Sequence, residues 1–263
     1  MSGPHQEQWR KIFLDADLDP EAGQRFIPSR TSKGLSSAEH LARYLFAASF
    51  CAGKRVLDLA CGSGYGSYIL KILGAAQVVG VDSDAQAIEL AHRNYQTPGI
   101  IFRTGDATAL EMEDAPFDVV VAFEALEQVS DAEAFLESVR RQLDPDGLLI
   151  ISCANDARSP SVSPFHVRHY TYQEFYDLVG RYFPGPRPIS QIHAVASLIL
   201  PPHAAAADDV SRIAIPETYI DVEKTVESSD VFLLLCGGAA ADVRRLRSLP
   251  RTSPSSCKAS MRR

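Results

Sequence analysis

The chain has no apolar run long enough to cross a bilayer. Its most apolar stretch, Ala194 to Leu200, stops at Pro201-Pro202, whereas a spanning helix needs about 20 apolar residues. No secretory signal is read at the start, because Glu7, Arg10, Asp15, Asp17 and Glu21 interrupt every apolar stretch there. There is no C-x-x-C pair. The cysteines at 51, 61, 153, 236 and 257 are odd in number and scattered. This argues against a disulfide framework and a zinc site, and predicts reduced thiols in a cytoplasmic protein. A basic excess is also missing: 26 Lys and Arg face 33 Asp and Glu, for a net charge of −7. That counts against a dedicated nucleic-acid binder. No internal repeat is evident, and the composition is not that of a disordered or collagen-like chain.

What is present is a globular composition. The 263 residues are 46% hydrophobic and 22% charged, enough for one large domain or two small ones and for a full core without covalent staples. Residues 1–36 are polar and irregular, a leader or lid. Ser36-Ser37 is expected to cap a helix with Leu41, Tyr44, Leu45 and Ala48 at helical spacing, ended by Gly53-Lys54. Short apolar runs then alternate with amphipathic helices. Strands are expected at Arg55–Ala60, Gln77–Asp82, Ile100–Thr104, Phe117–Phe123 and Leu148–Cys153. Helices are expected at Gly64–Leu73, from Asp84 to Tyr95, and after Ser130-Asp131 with Phe135, Leu136, Val139 and Leu143 on one face. Asp144–Gly147 is expected as a turn. Strands apolar on both sides, separated by helices, predict an α/β fold with a parallel sheet covered on both faces. Beyond residue 155 a helix capped by Thr171, a strand within Ile189–Leu200 and a last strand at Asp230–Cys236 are expected. The domain is drawn at 37–237, with an irregular insert at 201–229. A basic tail at 238–263 holds seven cations and no acid from Arg244 onward.

The strongest local signal is Asp58-Leu-Ala-Cys-Gly62-Ser-Gly64-Tyr-Gly66, between a strand and a helix. Glycines permit a sharp turn and close approach of a ligand, and the helix start beyond them offers unpaired N–H groups. Asp82 ends the second strand, where an acid can accept both ribose hydroxyls; Gly105-Asp106 follows the third, where an acid can reach an adenine amino group. Turn glycines and a helix-capping Asp82 are the bland alternative, which the order and context of all the pieces together disfavour. The loop is G-x-G-x-G rather than the dinucleotide G-x-G-x-x-G. Asp58 beside it would repel a pyrophosphate but suits an ammonium and a sulfonium, so S-adenosylmethionine fits better than NAD.

These segments resemble class I S-adenosylmethionine-dependent methyltransferases. Val56–Gly66 is similar to the family's first motif. Val78–Asp84, Gly105–Ala107, Phe117–Glu127 and Leu143–Ser152 resemble its later motifs in order. Glu39–Tyr44 and Ser163–Arg168 resemble a type 11 subgroup acting on sugars, glycans and natural-product scaffolds. The resemblance implies a Rossmann-like, mostly parallel seven-stranded sheet with an antiparallel last strand and helices on both faces. It implies that Asp58, Ala60, Gly62, Gly64 and Gly66 meet the methionine part of S-adenosyl-L-methionine. Asp82 and Ser83 would hold the ribose, and Gly105, Asp106 and Ala107 the adenine. Phe123 and Glu124 would lie near the methyl group, under a helix that brings Tyr44.

Methyl transfer from a sulfonium is an in-line displacement. The protein buries and aligns the reactants and, for a hydroxyl acceptor, takes a proton. Where many relatives have Glu-His after the fourth strand, this chain has Glu127-Gln128, and a glutamine is no base. His166 and Glu127 are therefore the candidate catalytic residues, with His169, Tyr170 and Tyr172 as possible lining. His166 could equally pin its loop. Cys61 is expected to be a packed residue rather than a nucleophile. Glu127 with Asp131 lacks a third metal ligand at a suggestive spacing, so no metal is expected. The favoured partner is a small sugar-like or natural-product acceptor with a hydroxyl or, second, an amine. The alternatives are an RNA or protein methyltransferase docking through its basic tail, a non-enzymatic methyltransferase-like subunit, and an NAD-dependent dehydrogenase. No membrane partner is expected, and the oligomeric state is open.

Overall fold

The strands form because β-branched and aliphatic residues alternate through segments too short for helices, bounded by glycine and polar turns. The computed structural model describes residues 35–155, 166–191 and 231–237. In chain order the elements are α1 (Leu35–Cys51), β1 (Arg55–Leu59), α2 (Tyr65–Ile72), β2 (Gln77–Asp82), α3 (Ala85–Tyr95), β3 (Ile100–Thr104) and β4 (Phe117–Phe123). A 3-10 turn (Leu126–Gln128), α4 (Ala132–Gln142), β5 (Leu143–Ala154), α5 (Tyr172–Tyr182), β6 (Arg187–Gln191) and β7 (Val231–Cys236) follow.

One seven-stranded sheet runs in the order β3-β2-β1-β4-β5-β7-β6. β1 to β5 are parallel, and β7 is antiparallel to both of its neighbours. Successive side chains point to opposite faces, so each strand feeds two cores. Val56, Val78, Val119, Val121 and Ile150 meet α1, α2 and α3 through Ala47, Ile69, Ile88 and Tyr95. Leu57, Val79, Val120, Ala122 and Ile151 meet α4 and α5 through Phe135, Leu136, Phe175 and Val179. This is the doubly covered sheet expected from the apolar runs.

The chain order reverses between β1 and β4, the position at which open α/β sheets bind ligands beyond their carboxyl ends. Register fixes what meets there. Leu59 pairs with Val81 and with Ala122, and Asp82 pairs with Thr104, so the loops after β1, β2, β3 and β4 leave from one edge.

Three local expectations change. α1 begins at Leu35, so Ser36 and Ser37 are helical rather than capping residues. Leu143 opens β5 instead of closing α4, and Asp144–Gly147 falls within the extent of that strand beside a register irregularity. Of the stretch from Ile189 to Leu200, Ile189–Gln191 ends β6; the remainder lies outside the described residues, as do the leader, the insert and the basic tail. Asp84 caps α3 by accepting from Gln86 N–H, and Thr171 caps α5 in a reciprocal capping box with Glu174.

Candidate active site

The glycine-rich loop joins β1 to α2, and its glycines have different surroundings. A Cβ on Gly64 would meet Ala91 at 2.6 Å and the Phe102 ring at 2.8 Å, and one on Gly66 would be driven into the Tyr44 ring. Both are needed for helix and strand to pack closely. Gly62, at φ 55°, has nothing within 4 Å of its Cβ position. That is the open cradle a ligand needs. Ala60, which opens the turn, is itself left-handed at φ 56°, an uncommon state for a residue with a side chain.

Asp58 is fully buried on β1. Its Oδ1 accepts from the Tyr44 hydroxyl at 3.1 Å and its Oδ2 from the Ser67 hydroxyl at 2.6 Å. Burial pushes its carboxyl up to about 7, helped by nearby Asp82 and opposed by those two hydrogen bonds. Both oxygens thus serve the packing of α1 and α2, where the resemblance implied an ammonium. Burial, with Asp58 close by, also pushes the Tyr44 phenol well up.

Asp82 binds the loop from the other side. Its Oδ2 accepts from Gly62 N–H at 2.9 Å and its Oδ1 from Asp84 N–H at 2.9 Å. The acid implied for the ribose therefore also holds the open glycine in place, and Ser83 beside it is exposed. Asp106 is exposed, next to half-buried Gly105 and Ala107. Its Oδ1 accepts from the Thr108 backbone N–H and hydroxyl, and the backbone bond first, then the side-chain bond, hold its carboxyl below the usual range.

At the end of β4 the buried Phe123 ring abuts Tyr44, centroids 5.1 Å apart. Glu124 follows at φ 51°, its N–H donating to Ser152. Its Oε1 lies 2.7 Å from Arg43 Nη2 and its Oε2 3.5 Å from His40 Nε2. Burial pushes the Glu124 carboxyl up, but Arg43, then His40 and His166, outweigh it and hold it below its ordinary value. Burial pushes His40 down to about 4, with Glu124 raising and Arg43 lowering it. Arg43, only 1% exposed, also donates to Gln191 Oε1 at 3.0 Å. Gln191 in turn donates to the Glu39 carbonyl at 3.1 Å. His40 and Gln191 carried no functional expectation. A histidine and an arginine at i and i+3, beside the apolar stripe of one helix, were the sequence trace of this cluster.

The two candidate catalytic residues sit differently. Glu127 is fully buried in the 3-10 turn, and its Oε1 accepts from Ala154 N–H at 3.0 Å. Its carbonyl receives Val167 N–H at 2.8 Å and Arg168 N–H at 3.2 Å. Glu127 thereby ties the end of β5 to the segment that presents His166. His166 is half-buried, its ring centre 6.1 Å from that of His169. Gln128 donates to the Glu124 carbonyl at 2.6 Å. Tyr170 is buried under the Arg168 guanidinium, 4.9 Å from its ring centre, and Tyr172 packs edge-on to Phe232 on the sheet. Asp131 caps α4 by accepting from Ala134 N–H. Among the described residues no three His, Cys, Asp or Glu side chains are grouped to hold a metal. Cys51, Cys61, Cys153 and Cys236 are buried, and burial pushes the Cys51 and Cys236 thiols up to about 12. No helix among the described residues is long and apolar enough to cross a membrane.

The open Gly62, with acids at the ends of β2 and β3, fits a ligand carrying a ribose and an adenine. Comparison with known proteins agrees with this geometry. Residues 51–176 match the family model described as "Methyltransferase domain". The chain is 32% identical over 165 residues to a "Probable S-adenosylmethionine-dependent methyltransferase" of Mycolicibacterium smegmatis, covering 61% of this chain and 63% of that one. It is 34% identical over 120 residues to the "Ubiquinone biosynthesis O-methyltransferase" of Chelativorans sp., covering 45% and 47%. The chain thus spans less than two thirds of these relatives' lengths. The N-methyltransferase NodS of Bradyrhizobium japonicum, solved with S-adenosyl-L-homocysteine, shares the fold. Its TM-score is 0.56 at 16% identity, covering 88% of this chain and 96% of that one. Residues 51–176 thus carry a methyltransferase domain by sequence match, and the sheet order, glycine loop and paired acids are similar to those of the class I S-adenosylmethionine-dependent methyltransferases, whose cofactor is S-adenosyl-L-methionine.

Proposed function

We propose that the protein transfers a methyl group from S-adenosyl-L-methionine to a hydroxyl group of a small sugar-like or natural-product acceptor, an amine being the second choice. The observation that carries this reading is the convergence, on the carboxyl edge at the β1–β4 reversal, of the open glycine loop with the segment that carries His166. Gly62 lies open between Asp82 and the start of α2, and the Glu127 carbonyl in the turn after β4 holds the Val167 and Arg168 N–H groups next to His166. The O-methyltransferase among the relatives supports a hydroxyl acceptor.

When bound, the sulfonium donor supplies an already activated methyl group. The protein's part is to bind, orient and exclude water. Gly62 gives the backbone room for the donor's methionine part. Asp82 holds the ribose and Asp106, with Gly105 and Ala107, the adenine. Ala60 and Ser83 shape the turns beside them. Tyr44 and Phe123 close the apolar side. His166 takes the acceptor's hydroxyl proton on a ring nitrogen as the oxygen attacks. Glu127 fixes the segment that carries it, as a positioning residue.

The test is labelled-methyl transfer to a panel of sugar nucleotides, glycosides and phenols, with His166→Ala beside the wild type. Loss of transfer with calorimetric binding of S-adenosylmethionine intact is expected. Unchanged turnover in the variant would remove His166 as the base. Failure of the wild type to bind S-adenosylmethionine would remove the enzymatic reading.

A further inference from the structure

The methyl donor and its demethylated product differ by one charge: the donor's sulfonium is cationic and the product's thioether is neutral. Asp82 and Asp106, in the roles proposed above, meet ribose and adenine, which are identical in the two. Both oxygens of Asp58 are engaged by Tyr44 and Ser67. The oxygens of Glu124 also have partners, Arg43 and His40, but Glu124 is 22% exposed where Asp58 is fully buried. It directly follows Phe123, whose ring abuts the Tyr44 ring that covers Gly66. Tyr65, at the start of α2, feels both Glu124 and Asp58. The Glu124 carboxylate therefore belongs to the same lip as the glycine loop.

Its surroundings give it a direction. Arg43 stands behind it at 1% exposure, while Glu124 is 22% exposed. The pair is a dipole whose negative end is the more accessible one. A buried guanidinium and a non-glycine residue at φ 51° are both costly. Their expense falls on one side chain's placement. Arg43 spans α1, the end of β4 and β6 through Glu124 and Gln191, so the carboxylate is fixed to three elements. The titratable and charged groups around it are His40 and Arg43 from α1, His166 from the segment after β5, and Tyr65 from the start of α2.

We infer that Glu124 is the residue by which this protein binds the charged methyl donor in preference to its neutral product, and that Arg43 is the positioning residue that aims Glu124. The inference rests on the cofactor placement proposed above. It also gives product release a driving force: once the sulfonium becomes a thioether, the attraction to Glu124 is gone. Arg43 keeps the carboxylate charged across the neutral range. Arg43 is the foremost of the groups that hold the carboxyl down against burial, so its loss moves the Glu124 titration upward.

Calorimetry with S-adenosylmethionine and S-adenosylhomocysteine tests this on the full chain without any acceptor. Glu124→Gln is expected to weaken donor binding on the order of tenfold, with product binding changed far less. Arg43→Met is expected to make the donor preference fall at a higher pH than in the wild type as pH is lowered, and Arg43→Lys is expected to restore the wild-type profile. Equal weakening of both ligands by Glu124→Gln, or no effect on either, would overturn the inference even if Arg43→Met did not fold. Asp82→Asn is the control. It is expected to weaken both ligands alike, and if it affects neither, the cofactor placement itself fails.

Discussion

The phenol ring of Tyr44 fills the space beside the Cα of Gly66, where any side chain would collide with it. One contact thus joins α1 to the glycine loop, and the same ring's hydroxyl continues to Asp58. Gly66→Ala must push the ring away, and overpacking of this kind costs about 1–3 kcal/mol. Gly62→Ala meets no neighbour and carries only the left-handed backbone penalty, about 1–2 kcal/mol. Urea unfolding is expected to show both losses. Only in Gly66→Ala should truncating Tyr44 recover part of the loss.

Ala60 makes the opposite prediction. At φ 56° a glycine would relieve about 1–2 kcal/mol of backbone strain against about 0.4–1 kcal/mol of added unfolded-state entropy. Ala60→Gly is expected to leave stability unchanged or raise it by up to about 1 kcal/mol. A lower denaturation midpoint at constant slope would contradict this.

Asp58 gives the fold a pH dependence of definite sign. Burial raises its folded-state carboxyl from 3.8 to about 7. The stability it contributes is complete below its unfolded pKa and is lost as pH rises toward and through neutrality. Asp58→Asn is expected to flatten this decline, by about 2–4 kcal/mol between acid and mildly alkaline pH. Unfolding free energies of both proteins across that range provide the check, and parallel curves would exclude the role.

Glu127→Gln separates two roles for a buried carboxylate. The amide oxygen can still accept from Ala154 N–H, so a positioning residue should tolerate the change, whereas a proton acceptor should not. Near-normal methyl transfer by Glu127→Gln is expected. Glu127→Ala, which leaves that N–H unpaired, should lose about 1–3 kcal/mol of stability.

Thr171→Ala removes one half of the α5 capping box and is expected to cost about 1 kcal/mol. Thermal unfolding measures this.

The strands, their order along the chain and the helices between them were legible in the sequence, because period-2 and period-3.6 patterns are set by backbone geometry within a few residues. The glycine loop and the acids at 58, 82 and 106 were legible for the same reason: strand, turn and helix fix their spacing. Which glycine opens to a ligand was not. Gly62, Gly64 and Gly66 look alike in the chain, and only Tyr44, Ala91 and Phe102, brought from three other elements, tell them apart. That Glu127 accepts from Ala154, 27 residues away, was not legible either. Arg43 and Gln191 meet across 148 residues, a separation over which no local pattern operates. The sequence by itself determined the fold class, the methyltransferase motifs and the edge of the sheet at which the proposed site lies. Tertiary structure alone decided which groups at that edge are packed and which stay open, because a residue's charge and freedom depend on neighbours that only folding supplies.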